Sequence, residues 1–450
     1  MEKIVIQPKT IDISMQTNVL VVGGGPAGIG AAVSAARNGQ SVILLEKRGF
    51  LGGNITACFV ENCNYFLKGT GFSSEGIYNE IERKAYEKYG NDNVRERNKF
   101  AFSSEYLKVF LDEFVSEAGV QILFHSFVND VVMDGRQIAA VIIQTKKGPV
   151  AVKADIVIDT TGDADVAFAA GVPFEQGREK DGLCQPGTVS LRLAGADTEA
   201  LLKDGDRLLE IGRIFKEDYR TGKTGLPCKR QDLPFGRLTG GGQISYVNYS
   251  CVYGLDPTDI RDLSRGEMEC RQYVMDIYKY LKSHFTELKD TEVASIAPEI
   301  GFRDSRRIDG LYHLTIEDME GRKHFDDVIA VFPRFYDMLA PDANMDGDGK
   351  VEGKGYVGHI YEPVVDDRTF EIPYRTMVPK AVDNLLTAGR CISADHVAES
   401  GTRAISLCMM TGEAAGAAAA VAIRSGKKPA DICVPELQKI LISQNIKLPL

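Results

Sequence analysis

The sequence has no Cys-x-x-Cys pair; its nine cysteines are scattered, and none stands at a metal-type spacing with histidine. That excludes the chemistry of a redox dithiol and leaves no ligand set for an iron–sulfur cluster or a finger-type zinc. No metal is expected, and the cysteines read as reduced, mostly buried thiols of a cytoplasmic protein. Long apolar runs are missing too. Residues 1–18 mix Lys, Asp and Gln with apolar residues and contain no secretory h-region. The most apolar later stretch, 414–423, lies between Glu413 and Arg424. It is too short to span a bilayer and reads as a buried core helix. Positive charge is in deficit, with 53 Lys and Arg against 63 Asp and Glu and a net charge of −10. Neither nucleic acid nor a membrane is expected as a partner. Internal repeats and low-complexity linkers are absent, and 450 residues suffice for two or three domains.

What is present is concentrated near the N-terminus. Val19-Leu20-Val21-Val22 is wholly apolar, as suits a strand buried on both faces of a parallel sheet. Gly23-Gly24-Gly25-Pro26-Ala27-Gly28 follows at once, and Gly23, Gly25 and Gly28 fit G-x-G-x-x-G. The first glycine permits the tight turn, the second lets backbone approach a pyrophosphate, and the third lets helix and strand pack closely. Pro26 suits a first helical turn. The small residues Ala27, Ala31, Ala32, Ala35 and Ala36 then favour close packing on the sheet, and Gly39 is a credible stop. Residues 41–45 form a second strand with Glu46 at its end, where an acidic side chain binds a ribose hydroxyl pair. A lone glycine motif is weak, but strand, helix, second strand and acidic residue in order predict a dinucleotide site.

Lys47 and Arg48 leave room for an NADP phosphate, although Glu46 precedes them. A second glycine pair, Gly52-Gly53-Asn54, offers more backbone to a diphosphate. Here the sequence resembles the glutathione-reductase-like flavoproteins, and the resemblance implies FAD. Residues 120–124 read as a strand, 128–133 and 138–144 as a hairpin, and 150–153 and 155–159 as two further strands. In the resembling proteins such a β-meander and return strand complete the FAD half domain. Val128 would then meet the adenine, and Thr161, Gly162 and Asp163 would lie near the cofactor. Residues 384–390 read as a strand running into a turn at Gly389 and Arg390, and an Ala-rich helix begins around 401–403. Thr402 and Ala404 at its start would offer N–H groups and the positive dipole end to a reduced flavin; a core helix without cofactor contact is the alternative.

The fingerprint, Asp159-Thr160-Thr161-Gly162-Asp163, Gly301-Phe302-Arg303-Asp304-Ser305-Arg306-Arg307 and residues 384–420 together resemble the bacterial family of FAD-dependent oxidoreductases, over nearly the whole chain. The resemblance implies an α/β protein with a glutathione-reductase-like Rossmann FAD-binding domain and β-meander (1–54, 107–174 and 376–450). A helical insertion (55–106) and a second, α+β substrate domain (175–375) complete that layout. A further G-x-G-x-x-G is lacking: Gly240-Gly241-Gly242 and Gly353-Lys354-Gly355 follow no clear strand. A bound NAD(P)H domain is therefore not expected.

Candidate chemistry is sparse. Among six histidines, His396 lies between the Gly389 turn and the last long helix, where it would move a proton while flavin N5 moves a hydride. A purely structural His shaping that loop is the alternative. Arg303, Arg306, Arg307 and Arg403 suit a carboxylate or an oxyanion, or else salt bridges with Asp304, Asp309 or Glu399. Residues 342–353 match the start of a calcium loop, but its twelfth position is Gly353, so a polar surface loop is expected. The sequence thus points to an FAD enzyme acting on a small polar organic substrate. An external electron acceptor and a homo-oligomeric state are open. A flavin electron-transfer subunit and a non-redox FAD-binding module are the alternatives.

Overall fold

The computed structural model describes residues 10–61, 76–90, 103–203, 207–333, 336–342, 351–352, 355–356, 360–362 and 369–449. Its centre is a mixed sheet of β1 (Ile13–Val22), β2 (Val42–Leu45), β3 (Gln121–Leu123), β4 (Phe127–Asp134), β5 (Gln137–Thr145) and β6 (Gly148–Asp159), with the strand Leu385–Thr387 added late in the chain. The order is β3-β2-β1-β6, all parallel, with β5 and β4 following antiparallel. The two strands expected at 150–153 and 155–159 are one. Along one edge β6 pairs with β1 through residues 151–159, with a register shift between Ile13 and Met15; along the other it meets β5 through residues 148–152 and Leu385–Thr387 through 157–159. A change of neighbour, not a break in the backbone, separates the meander from the parallel sheet.

Period-2 side-chain alternation divides the sheet's two faces. Val19, Val21, Val42, Leu44, Ile156 and Ile158 face one core, while Leu20, Val22, Ile43, Leu45 and Val157 face another with the meander residues Val131, Val141 and Ile143. With both faces covered, an unbroken apolar strand is the stable solution.

The first core is closed by helices α1 (Pro26–Arg37), α2 (Gly76–Tyr89), α3 (Ser104–Glu117), α4 (Arg207–Arg220), α5 (Ile260–His284), α6 (His396–Thr402) and α7 (Ile405–Ser425) only in part: α1, α2, α3, α6 and α7 contribute to it, whereas α4 and α5 belong to a second core. The helices α1 and α7 cross at backbone distance. A Cβ on Gly412 would lie 1.9 Å from Ala27 O, one on Gly416 2.2 Å from Ala31 O, and one on Gly30 2.3 Å from Met409 O. By length and composition α7 is apolar enough to cross a bilayer, but 89% of its most apolar window is buried inside the protein. The expected core helix at 414–423 is therefore the middle of a longer one.

The second core gathers β8 (Leu191–Ala194), β9 (Ile244–Val247) and β10 (Glu292–Ile296), labelled after β7 (Phe174–Gln176), and the buried faces of α4 and α5. Helix α5 starts where the Asp259 side chain accepts from the N–H groups of Arg261 and Asp262. The described hydrophobic residues between Leu314 and Tyr374, expected in the substrate domain at 175–375, pack mostly in the first core, where strand Val328–Pro333 lies against α7. The described part of 55–106 likewise packs mostly in that core: Ile55, and Ile77, Tyr78 and Ile81 of α2, are core residues.

Candidate active site

The turn after β1 is dictated by sterics. Gly23 has φ +107°, and a Cβ there would sit 2.5 Å from Thr160 O; a Cβ on Gly28 would sit 1.7 Å from Gly23 O. No side chain fits either place. Pro26 opens α1, and the free N–H groups of its first turn meet no side-chain cap. Glu46, 3% exposed, closes the turn: its Oε2 accepts the Gly24 N–H at 2.7 Å and its Oε1 accepts the Arg48 N–H at 2.8 Å. Oε1 also accepts from Arg48 Nη1 at 3.4 Å, whereas Oε2 keeps a second lone pair for a further donor.

A cavity of about 1170 Å³ begins at this turn and runs to the second core. Gly23, Gly25, Pro26, Ala27, Glu46, Lys47, Gly53 and Asn54 line its near end, and Val128 lies on its wall. Thr161, Gly162, Asp163, Gly389, Arg390 and Ala404 line its middle, and Arg303 and Arg403 its far wall. Of the residues expected at the site, Gly28, Gly52, Thr402, Arg307 and His396 do not line the cavity. Gly28 packs helix on strand. Thr402 is the end of a helix, not its start: α6 stops there, and α7 begins at Ile405 after a break at Arg403 and Ala404. The helix start presented to the cavity is therefore that of α7, through Ala404 and Ile405.

Arg390 ties three segments together. Its Nε donates to Gly162 O at 2.6 Å, its Nη1 to Phe302 O at 2.7 Å, and its Nη2 to Asp163. Burial works against its charge, but Asp163 and Glu399 outweigh that and raise its pKa. Arg48, weighed from the sequence only as a partner for an NADP phosphate, bridges the near end: its fork holds both oxygens of Glu299, and Lys47 joins at 3.2 Å.

The far wall carries three guanidinium groups. Arg230 is fixed by Asp232 at 2.9 Å and Asn248 at 2.9 Å. Arg403 donates to Asp337 O, with the Asp337 carboxylate at 3.8 Å. Arg303 donates to Pro186 O at 3.1 Å and Thr188 Oγ1 at 3.4 Å, and among the described residues no carboxylate lies within ion-pair distance of it. Burial, and then the neighbouring Arg230, lower its pKa. Arg306 takes a different place, stacked on Phe168 and bonded to Asp163 O.

Behind this wall lies a sealed cluster. His396 Nδ1 is 3.1 Å from Asp304 Oδ2, and Arg307 Nη1 is 3.3 Å from Glu399 Oε2. Arg307 is 1% exposed and donates to Ala394 O and Gly177 O. Burial pushes Glu399 up to about 8 against the pull of Arg307. Burial would raise Asp304 too, but His396 and Arg307 hold it below the usual carboxylate range. The expected proton carrier thus sits one layer behind the cavity rather than on it. The calcium-like loop falls largely outside the described residues.

A glycine turn closed by a buried Glu46, and a cavity joining it to a cationic far wall, define an α/β dinucleotide-binding protein. Residues 18–441 match the family model of the FAD dependent oxidoreductases, and the chain belongs to that family. It is an enzyme and its cofactor is FAD. A thiamine thiazole synthase from Aeropyrum pernix is 27% identical over 161 residues, 33% of this chain and 55% of that protein. Digeranylgeranylglycerophospholipid reductase 2 from Methanothermobacter thermautotrophicus is 26% identical over 246 residues, 52% of this chain and 61% of that protein. The chain spans little more than half the length of these curated relatives. Among solved structures, a geranylgeranyl bacteriochlorophyll reductase-like protein from Thermoplasma acidophilum has 15% identity and a TM-score of 0.43, over 95% of this chain and 82% of that one.

Proposed function

We propose that the enzyme exchanges a hydride between FAD and a small organic acid. The observation that carries this reading is Arg303, a guanidinium on the cavity wall with no carboxylate partner among the described residues, flanked by Arg230 and Arg403. A cation kept out of water beside two others is stabilised by an anion that arrives with the substrate.

The near end fits the cofactor. A Cβ on Gly25 would meet nothing nearer than Gly53 Cα at 3.8 Å, so backbone there is open to a diphosphate. In this reading Gly23, Gly25 and the first turn of α1 receive the diphosphate, and Glu46 receives the ribose hydroxyls. The backbone at Val128 meets the adenine, and the start of α7 lies at the flavin ring, as in a glutathione-reductase-like domain. Bound FAD supplies two-electron chemistry at its N5. Arg303 and Arg403 orient the acid, Arg390 holds the wall, and the second core excludes water. An external electron acceptor completes the turnover. All eight described cysteines are free and only Cys433 is exposed, which supports a reducing compartment.

The test is the visible spectrum of the purified enzyme under anaerobic conditions. A panel of small 2-hydroxy, 2-amino and unsaturated carboxylates should contain members that bleach the oxidised flavin or reoxidise the reduced one, and NADH and NADPH should not bleach it rapidly. Rapid bleaching by a nicotinamide, with no response to any acid, would make the protein a nicotinamide-driven reductase and overturn the proposal.

A further inference from the structure

We propose that Asp304, His396 and Glu399 hold a divalent transition-metal ion in the layer behind the active-site wall, where it fixes the positions of Arg303 and Arg403. One ligand-type atom from each of the three residues lies within 4.8 Å of the other two. Asp304 and Glu399 are fully buried and His396 is 6% exposed.

The pattern of satisfied and unsatisfied atoms is the argument. Asp304 Oδ1 accepts the Gln185 N–H at 2.8 Å, and Glu399 Oε2 faces Arg307 at 3.3 Å. Their other oxygens, Asp304 Oδ2 and Glu399 Oε1, have no hydrogen-bond partner, and neither ring nitrogen of His396 has one. Asp304 Oδ2 and His396 Nδ1 approach to 3.1 Å without hydrogen-bond alignment. A buried polar atom left unpaired costs about 1–3 kcal/mol, and charged ones more. Here such atoms, with Asp304 Oδ2 and His396 Nδ1 at ion-pair distance of each other, are gathered in one place, while the outer oxygens are held by groups that orient them. A metal site is built in this way, with ligands facing a common point and a surrounding layer fixing their direction.

The donor set narrows the ion. One imidazole and two carboxylates suit Zn(II), Fe(II) or Mn(II) better than the all-oxygen cages of calcium or magnesium. Three protein ligands leave a fourth position for water. The Arg307 guanidinium binds the outer oxygen of Glu399 and so opposes the ion only from the second layer. Asp304 adjoins Arg303 in sequence, and Glu399 lies one helical turn before Arg403. The ion would therefore join the segment before β11 (Arg306–Ile308) to α6, and would set the spacing of the two wall arginines without touching the cavity.

The experiment is elemental analysis of the FAD-loaded enzyme, produced with Zn, Fe and Mn supplied and then exhaustively buffer-exchanged. About one equivalent of a single metal per chain is expected. Asp304→Asn and His396→Ala should each lose it while keeping the flavin spectrum. Because either variant may fail to fold, the second measurement uses the wild-type chain: chelator-treated enzyme titrated with Zn(II) or Mn(II) should gain roughly 5 °C in Tm. No metal above background together with no gain in Tm would overturn the proposal. So would equal metal retention by folded variants, which would place the ion elsewhere.

Discussion

Gly53 and Gly25 face each other across the near end of the cavity, so closely that a Cβ on Gly53 would lie 2.9 Å from Gly25 Cα. The two positions are not equivalent. Gly53 has φ +53° and ψ −129°, a region that side-chain-bearing residues avoid, whereas Gly25 has ordinary extended angles and open space in front of it. Gly53→Ala should therefore destabilise the fold by roughly 1–3 kcal/mol. Gly25→Ala should fold normally and lose FAD, because its methyl fills the diphosphate space. The flavin-to-protein absorbance ratio and a melting curve separate the two effects. Full flavin content in Gly25→Ala would refute the assignment of this turn to the diphosphate.

Arg303→Ala should leave the flavin spectrum intact and weaken use of an acidic substrate by roughly 10–100-fold, the value of a hydrogen bond to a charged group. Arg303→Lys should recover little, because an ammonium cannot reproduce the guanidinium fork. Steady-state kinetics of the three proteins on the same acid check this. Unchanged kcat/KM in Arg303→Ala would remove Arg303 from substrate binding.

Glu413 lies in the middle of α7 and is 1% exposed; its Oε2 accepts the Ile77 N–H at 2.9 Å, at the start of α2. Burial pushes it up to about 8, against the opposing effects of Ile77 and Arg37. The folded chain therefore keeps a proton that the unfolded chain has already released. Stability from this group is complete below its ordinary pKa near 4.5 and is lost as pH rises towards about 8. The slope is at most about 1.4 kcal/mol per pH unit. Denaturant unfolding at pH 5, 6.5 and 8 should show the decline, and Glu413→Gln should flatten it. An identical slope in the variant would mean that the decline has another source.

The Arg192–Glu61 pair joins β8 of the cap to the segment that follows the Asn54–Ala57 helix. The two meet at 2.8 Å with side chains 7% and 1% exposed, and Arg192 also stacks over Phe59. Arg192→Leu alone should cost roughly 3 kcal/mol, because among the described residues the buried Glu61 carboxylate is left with only the Ser104 N–H and Arg237 at 3.8 Å. Replacing both residues with Leu should cost much less. A double-mutant cycle measures the difference, and simple additivity would show that the pair is not coupled.

Legibility in the sequence followed locality. The turn from Val19 to Glu46 could be read because every requirement falls within one βαβ unit and each glycine answers one steric demand. The apolar positions Leu263, Val274, Ile277 and Leu281 recur on roughly one face and predict a helix over 258–285, against the observed Ile260–His284. The single strand β6 was not legible, since residues 153–156 are held in it by β1, a strand more than a hundred residues earlier, and not by any signal within 148–159. The break between α6 and α7 left no Pro or strong turn signal at Arg403 and Ala404. The Asp304, His396 and Glu399 cluster escaped a search for ligand spacing because Asp304 stands on a segment far from the other two. His396, expected on the cavity, stands one layer behind it, because sequence order does not give depth. Arg48 was legible only as a cation that an NADP phosphate could use, and Arg230 carried no signal beyond its charge.

The touching backbones of α1 and α7 set a timetable. A nascent chain emits α1 early, but the helix whose glycines accept Ala27 and Ala31 is made near the other terminus. At about 5–20 residues per second, the interval is roughly 20–75 s. Throughout it the small, apolar face of α1 lacks its α7 partner and the flavin end of the cavity lacks the start of α7, even though Glu46 and Thr160 already hold the turn itself. FAD binding should therefore be a late event in biogenesis, and ribosome-bound chains lacking α7 should neither retain the cofactor nor resist protease at α1.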